Sequence, residues 1–357
     1  MAENSFGVND ANAVKLWQKR LEVAERDSTD IAPLMGTSPD SIIHIKEETT
    51  KGPGDRVRFS LRPRLSGAGK TESDVAEGQG EGLSIYYDDV TINELFHIVA
   101  AKSENTIDHQ RVPWDLREEC RGALGDWWAD RNSAAFFNQV CGNTAQVDIK
   151  YTGMIATTAP SSDRILRAGA QANDQSLTSS HPFVLGLIDS AVEKASVGNN
   201  KIRPLRIGGK LKYVMYLHPY QVTSLRTNTA TGQWLDIQKA AMAGSDSSKS
   251  PIYTGALGEY NGVILRVSQD IPLGCNSSTP TTAVANTRRA VLLGAQAAAV
   301  AYGKKHGPSK YRWNEELLDH KRKLEVGAFC IMGMKKTVFN SSDFGALVVS
   351  TYAAAAA

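Results

Sequence analysis

From position 56 to position 65 polar and apolar residues alternate without a break. Arg56, Arg58, Ser60, Arg62 and Arg64 fall on one side, and Val57, Phe59, Leu61, Pro63 and Leu65 on the other. A period of two predicts a strand with one cationic and one apolar face. It follows the turn-forming run KGPGD and ends in the small residues SGAGK, and a second strand is predicted around Leu83–Ile92. Between Glu72 and Asp89 the chain carries Glu72, Asp74, Glu77, Glu81, Asp88 and Asp89, with no lysine or arginine. The outgoing strand of this finger is therefore basic and its return acidic. Arms of ~10–15 residues at ~3.3 Å each would reach ~35–50 Å. A two-stranded hairpin is not stable alone in water, so the finger needs a surface to lie on. Its own domain, with the charges solvated, and a neighbouring copy of the chain are both open at this point.

The next pattern has the helical period. Leu116, Cys120, Leu124, Trp127, Ala134 and Phe137 recur at helical spacing, with Asp115 as N-cap, Glu118 placed for a capping box and Gly142 as the stop. A helix over 115–141, about 26 residues at ~1.5 Å, would be a rod of ~39 Å. Its aromatics Trp127, Trp128, Phe136 and Phe137 read as core side chains rather than a base-stacking surface, because aromatics at helical spacing usually face a core. Further helices are predicted over 182–197, after His218-Pro219 and over 234–244. Strands are predicted over 211–217, after the Asn261-Gly262 turn, over 323–339 and over 344–352, with a buried element at 290–301. Residues 1–50 read as an arm, with a short helix through Val14, Leu16, Trp17 and Leu21, turns at Pro33, Gly36 and Pro39, and a strand over 41–46. Residues 143–180 are polar and patternless. No internal repeat is present, and the class is α+β.

Composition narrows the function more by exclusion than by assertion. Lysine plus arginine number 40 against 38 acids, a formal +2, so bulk charge does not argue for a nucleic-acid or membrane binder. Cys120, Cys141, Cys275 and Cys330 are far apart and form no C-x-x-C pair, which points away from zinc or a disulfide framework and towards a reducing compartment. The N-terminus has no basic start followed by an apolar run, so no signal peptide is expected. The apolar run AVLLGAQAAAVA is too short to span a bilayer. The seven histidines form no H-x-x-x-H, and no metal or cofactor site is expected. Asp343-Phe344-Gly345 lacks the other kinase signatures and reads as an acidic turn. The stretch LSGAGKT ends like a phosphate loop, but position 64, where the first glycine belongs, is Arg64, and the acidic, glycine-rich run that follows is no helix. An ATPase would need that loop. Between Lys304 and Lys336, nine lysines and arginines face four acids, a local cationic excess that most simply makes a solvated surface. No active site emerges.

An arm, a long hairpin, a long helix, an inserted mixed region and a return to long strands, in that order, resemble the major capsid proteins of tailed phages with the Hong Kong ninety-seven type of fold. Among these the chain is most similar to the major capsid family of N-four-like phages. The stretches that carry the resemblance are KGPGDRVRFSLRPRLSGAG, QRVPWDLREECRGALGDWWADR, YVMYLHPYQVTSLR, GALGEYNGVILRVS, VLLGAQAAAVAYG and GMKKTVFNSSDFG. The resemblance implies a non-enzymatic protein whose residues 1–50 are an N-terminal arm and 51–92 an extended loop overlapping an adjacent subunit. It makes 93–180 a peripheral domain with a spine helix at 115–141, 181–300 an axial domain, and 301–357 a return to the peripheral domain, with the final strands beside the spine. It implies hexamers and pentamers of this chain in a shell around double-stranded DNA, with portal and scaffolding or decoration proteins as partners, no membrane, assembly in the host bacterial cytoplasm and residence in the virion. Under this reading the subunit interface holds Arg56, Arg58, Arg62, Arg64, Lys70, Glu72, Asp74, Glu77, Glu81 and Trp17. Arginine faces would meet acidic faces of neighbours, and arms would exchange. A shell of the same fold around cargo enzymes, encapsulin-like, is the alternative.

Overall fold

The structure, a computed structural model, describes residues 20–25, 29, 31–46, 54–62, 65, 67–74, 77–102, 106–107, 111, 115–197, 201–207, 209–228, 230, 258–304 and 309–355. The helix expected over 234–244 lies outside them, as do Trp17 and Arg64.

Two sheets and one long helix organise the molecule. The first sheet runs Met35–Gly36, Ile43–Lys46, Ala298–Tyr302, Lys323–Lys336, Tyr311–Leu318, and Asn93–Lys102 also pairs with Lys323–Lys336. The second runs Ile165–Arg167, Ala346–Tyr352, Thr287–Leu293, Lys210–Leu217, Val263–Val267, Glu259–Tyr260, with Leu205–Ile207 beside Lys210–Leu217. The long helix spans Leu116–Val140, ~38 Å at ~1.5 Å per residue. Asp115 caps it by accepting from the Arg117 backbone N–H at 2.9 Å. The expected capping box does not close, because Glu118 is drawn to Arg121 and Arg20 instead.

The long helix buries Leu124, Trp128, Phe136, Phe137 and Val140 in one cluster with Val300, Val326, Ala328 and Met334 of the first sheet and Val214, Tyr216, Val291 and Leu293 of the second. The alternate residues Tyr213, Met215, Leu217, Leu292, Leu347 and Val349 face the other way. They meet Ile188, Ala191 and Ala195 of the Leu185–Val197 helix and Val222 and Leu225 of the Pro219–Thr227 helix. The second sheet is covered on both faces, which is why its strands read as continuous apolar runs. That uniformity conceals a boundary: the run predicted as one buried element at 290–301 is two strands in two sheets. The chain turns through Gly294, where an added Cβ would lie 2.4 Å from the Ile202 side chain, and Gln296, at φ 56°.

Two expectations need correction. Residues 31–46 do not stand apart as an arm. Ile31, Leu34, Ile42 and Ile43 belong to the main core, and Ile43–Lys46 pairs in parallel with 298–301 of the same chain. The preceding turn of helix is tied in by Glu25, which accepts from Asn132 at 2.8 Å and pairs with Lys310 at 3.2 Å. Ala346–Tyr352 does not flank the long helix with Lys323–Lys336. It sits in the second sheet, hydrogen-bonded to Thr287–Leu293. The patternless 143–180 is held by side chains rather than periodicity: buried Asp174 pairs with Arg167 and Arg289, each at 2.7 Å.

Candidate subunit interface

The finger begins as predicted. Arg56–Leu61 pairs antiparallel with Tyr86–Thr91, with Val57 opposite Val90 and Arg58 opposite Asp89. Pairing ends at Leu61 and Tyr86, so the ladder spans six residues on each side, ~20 Å, shorter than the alternation suggests. Its apolar face is buried on the molecule's own body. Val57 and Val90 pack with Ala299 and Ala301, flanked by Phe59 and Ile92, and Phe59 meets Phe339 edge-on at 5.8 Å. The approach is close enough that a Cβ on Gly333 would lie 2.0 Å from the Thr91 carbonyl oxygen.

Charges at this base are also satisfied within the chain. Arg58 donates to both Asp89 oxygens, at 2.8 and 3.0 Å, and Arg56 stands 3.7 Å from Asp89. The hydrogen bonds from Arg58 hold the Asp89 carboxyl below its usual value, against partial desolvation and with help from Arg56 and Lys335. Asp88 pairs with Lys335 and accepts from the Val338 N–H at 3.1 Å. Arg58 also lies over the Tyr87 ring, 4.5 Å from its centroid. The arginine face expected to meet a neighbour's acids is thus, at Arg56 and Arg58, closed in cis.

Beyond the ladder the tip is exposed and held together locally. The Gly67 N–H donates to Glu81 at 2.9 Å, and Lys70 donates to Gln79 at 3.0 Å. Asp74 accepts from the Thr71 N–H at 2.8 Å and from its hydroxyl at 2.9 Å, which lowers the Asp74 pKa. Gly69 adopts φ 84°, left-handed geometry that favours glycine. Lys70 is committed to Gln79, and the hydrogen-bonded turn comes after it, where the Asp74 N–H donates to the Thr71 carbonyl at 3.1 Å. Arg62, Glu72 and Glu77 are exposed and form no ion pair among the described residues. From Leu83 to Tyr87 every second residue of the return is a large apolar side chain in solvent: Leu83 is 54% exposed, Ile85 60% and Tyr87 64%.

The pattern reading missed the strand Asn93–Lys102, which follows the finger directly. Leu95, Val99 and Ala101 pack inward on the core, and His97 stacks on Trp127 of the long helix at 4.4 Å. Phe96 and Ile98 point outward, 54% and 45% exposed, and Phe96 stacks on Phe329 at 5.4 Å. With apolar residues on both faces the strand has no period to detect. Among the described residues no group of three or more histidines, cysteines or carboxylates could hold a metal ion. No helix there is long and apolar enough to cross a membrane.

Comparison with known proteins agrees with this architecture. A family model described as "Phage capsid protein" matches residues 5–355. The capsid of Ralstonia phage GP4 is similar over 99% of each chain, at 29% identity with a TM-score of 0.76. The cyanophage Pam1 capsid is similar over 92% of this chain and 93% of its own, at 19% identity and 0.72. The capsid of Helicobacter pylori bacteriophage KHP30 follows over 91% of each, at 16% and 0.64. No curated protein matches.

Proposed function

The chain belongs to the phage capsid protein family, and from that premise we infer how it builds a shell. It is a major capsid protein, a structural component of an icosahedral bacteriophage capsid. In the reading proposed here the fold is of the Hong Kong ninety-seven type, with the N-four-like capsid family as nearest kin. The Leu116–Val140 helix serves as spine, the first sheet forms a peripheral domain, and the second sheet with its two helices forms an axial domain. Copies gather as hexamers and pentamers around double-stranded DNA, held without sequence preference. A portal and scaffolding or decoration proteins complete the particle, which assembles in the host cytoplasm and persists as the virion. The role is non-enzymatic. No finding supports a cargo-enclosing shell or an ATPase.

One observation supports the finger as the part that joins copies: Leu83, Ile85 and Tyr87 line a segment that its own body leaves in water. Fully burying one such side chain stabilises a contact by about 1.5–3 kcal/mol. A surface ion pair adds only ~0–1 kcal/mol. Contacts this weak hold a shell by repetition, and closed symmetry ends its growth. The test replaces residues 65–85 with a short glycine–serine turn. The variant should keep the far-ultraviolet circular dichroism of the wild type and form no closed particles in electron micrographs. Shells of normal number and size from the shortened chain would refute the role given to the finger.

A further inference from the structure

A cavity of about 460 Å³ lies between the Asn93–Lys102 strand, the Leu116–Val140 helix and the helical turn Ile149–Tyr151. That volume is within the ~300–1,000 Å³ of small-molecule sites. The strand pairs only with Lys323–Lys336 among the described residues, so its second edge is free. Five consecutive residues, from Asn93 to His97, line the cavity. Side chains of both strand faces reach it because it runs along that free edge, where backbone N–H and C=O groups are unpaired.

The floor is aromatic and carries one cation. Trp127 and Arg131 are four residues apart and share a face of the long helix. The Arg131 guanidinium carbon sits 3.7 Å from the centroid of the Tyr151 ring and 4.9 Å from that of Trp127. The backbone around Tyr151 is tied to the helix: the Tyr151 carbonyl accepts from Asn138 at 3.0 Å, and the Thr152 carbonyl accepts from Gln139 at 2.6 Å. From the strand, His97 stacks on Trp127 at 4.4 Å. Arg131 is therefore held by ring faces. It has no hydrogen bond and no ion pair among the described residues, and its Nη1 is buried without an acceptor. A buried donor left unpaired is costly, and a guanidinium keeps its charge whatever surrounds it. The site is short of one anion.

The other charges on the lining select which anion. Asp148 is turned to its own backbone, accepting from the Lys150 N–H at 3.0 Å. Glu94 alternates with Phe96 on the outward strand face, away from the helix, and both Glu94 and Lys150 are exposed. Neither acid satisfies Arg131, yet both line the cavity, so a doubly charged group such as a phosphate monoester is opposed there. A second cation is opposed as well, because Arg131 already covers the ring faces. Leu95, Ile149 and Met154 complete an apolar wall.

We propose that this cavity binds a small monocarboxylate with an apolar or aromatic body, the carboxylate on Arg131 and the body against Leu95, Ile149 and Trp127. The inference goes beyond the shell reading and does not depend on it: a chain that formed no particles would leave it standing.

The test is a titration of the unassembled protein with 4-phenylbutyrate, followed by tryptophan fluorescence. A saturable change at millimolar ligand is expected. The alcohol 4-phenylbutan-1-ol, the same body without the charge, should bind at least about tenfold more weakly, the factor that a hydrogen bond to a charged group supplies. Arg131→Gln should weaken binding of the acid by a similar factor, and Arg131→Lys, which keeps the charge, by less. Trp127→Phe should lose most of the fluorescence change. If Arg131→Gln does not fold, the comparison of acid with alcohol on the wild-type chain decides. No saturable binding, equal affinity for acid and alcohol, or an unchanged affinity in folded Arg131→Gln would overturn the proposal. So would a full fluorescence response in Trp127→Phe, which would put the ligand elsewhere, or tighter binding of 4-phenylbutyl phosphate, which would remove the limit to a single charge.

Discussion

The base and tip of the finger are made of the same kinds of residue, arginines and lysines set against acids, with apolar residues between. At the base Val57 and Val90 are buried, and Asp88 and Asp89 each find a cation in the same chain. At the tip Leu83 and Ile85 stand in water, and Glu72 and Glu77 pair with nothing among the described residues. The difference lies in what each segment can reach. The base passes over Gly333 in backbone contact, so the body satisfies it, while the tip extends past the last ladder pair and must be satisfied elsewhere. A hairpin anchored at one end and unsatisfied at the other can deliver a surface to a neighbour without unfolding its own attachment.

The largest effect should separate the two regions by accessibility. In unassembled protein, trypsin should cut first after Lys70, in an exposed segment held by local hydrogen bonds. In shells the same bond should survive at least about tenfold longer, because covering even one of Leu83 or Ile85 shifts the open fraction by that factor. Mass spectrometry of timed digests measures it. Equal cutting of free and assembled chains would mean that the tip stays uncovered and the contrast with the base is lost.

A pair of identical substitutions then tests the base directly. Gly333→Ala places a methyl group against the Thr91 backbone, and overpacking of this kind costs about 1–3 kcal/mol. Gly82→Ala in the tip meets nothing within 4 Å and should stabilise by about 0.4–1 kcal/mol, through a less flexible unfolded chain. Urea titrations of the two unassembled variants should therefore move in opposite directions. Similar midpoints would show that the base is not seated as tightly as its geometry indicates.

The alternation was legible over 56–61 because one of its faces meets the body and the other does not. The long helix was legible for the same reason, with Leu124, Trp128, Phe136 and Phe137 all on the buried side. The strand Asn93–Lys102 was hidden because Leu95 and Val99 face the core while Phe96 and Ile98 point outward, leaving no contrast to read. Residues 290–301 gave one apolar run for two strands because the change of sheet occurs at Gly294 without a polar break. Charge raised a different problem. Composition showed cations on one strand and acids on the other, but only the register, with Arg58 opposite Asp89, decides that they meet in cis.

The smallest effect concerns pH, and its sign follows from Asp89. The hydrogen bonds from Arg58 depress the carboxyl's pKa in the folded chain, so the ionised form is favoured there relative to the unfolded chain. Stability from this pair is therefore complete above the ordinary carboxylate value of 3.8 and is lost as pH falls through the depressed folded value. In Arg58→Gln the donor loses its charge and most of the depression disappears. The wild type should melt slightly higher than the variant at pH 7, and the gap should close as the pH is lowered below about 4. Both partners touch water, so solvent screening keeps the difference small, within a few degrees in thermal scans of the unassembled protein. A gap that instead widened on acidification would mean that Arg58 is held by something other than Asp89, and the base would then have a cation to offer a neighbour after all.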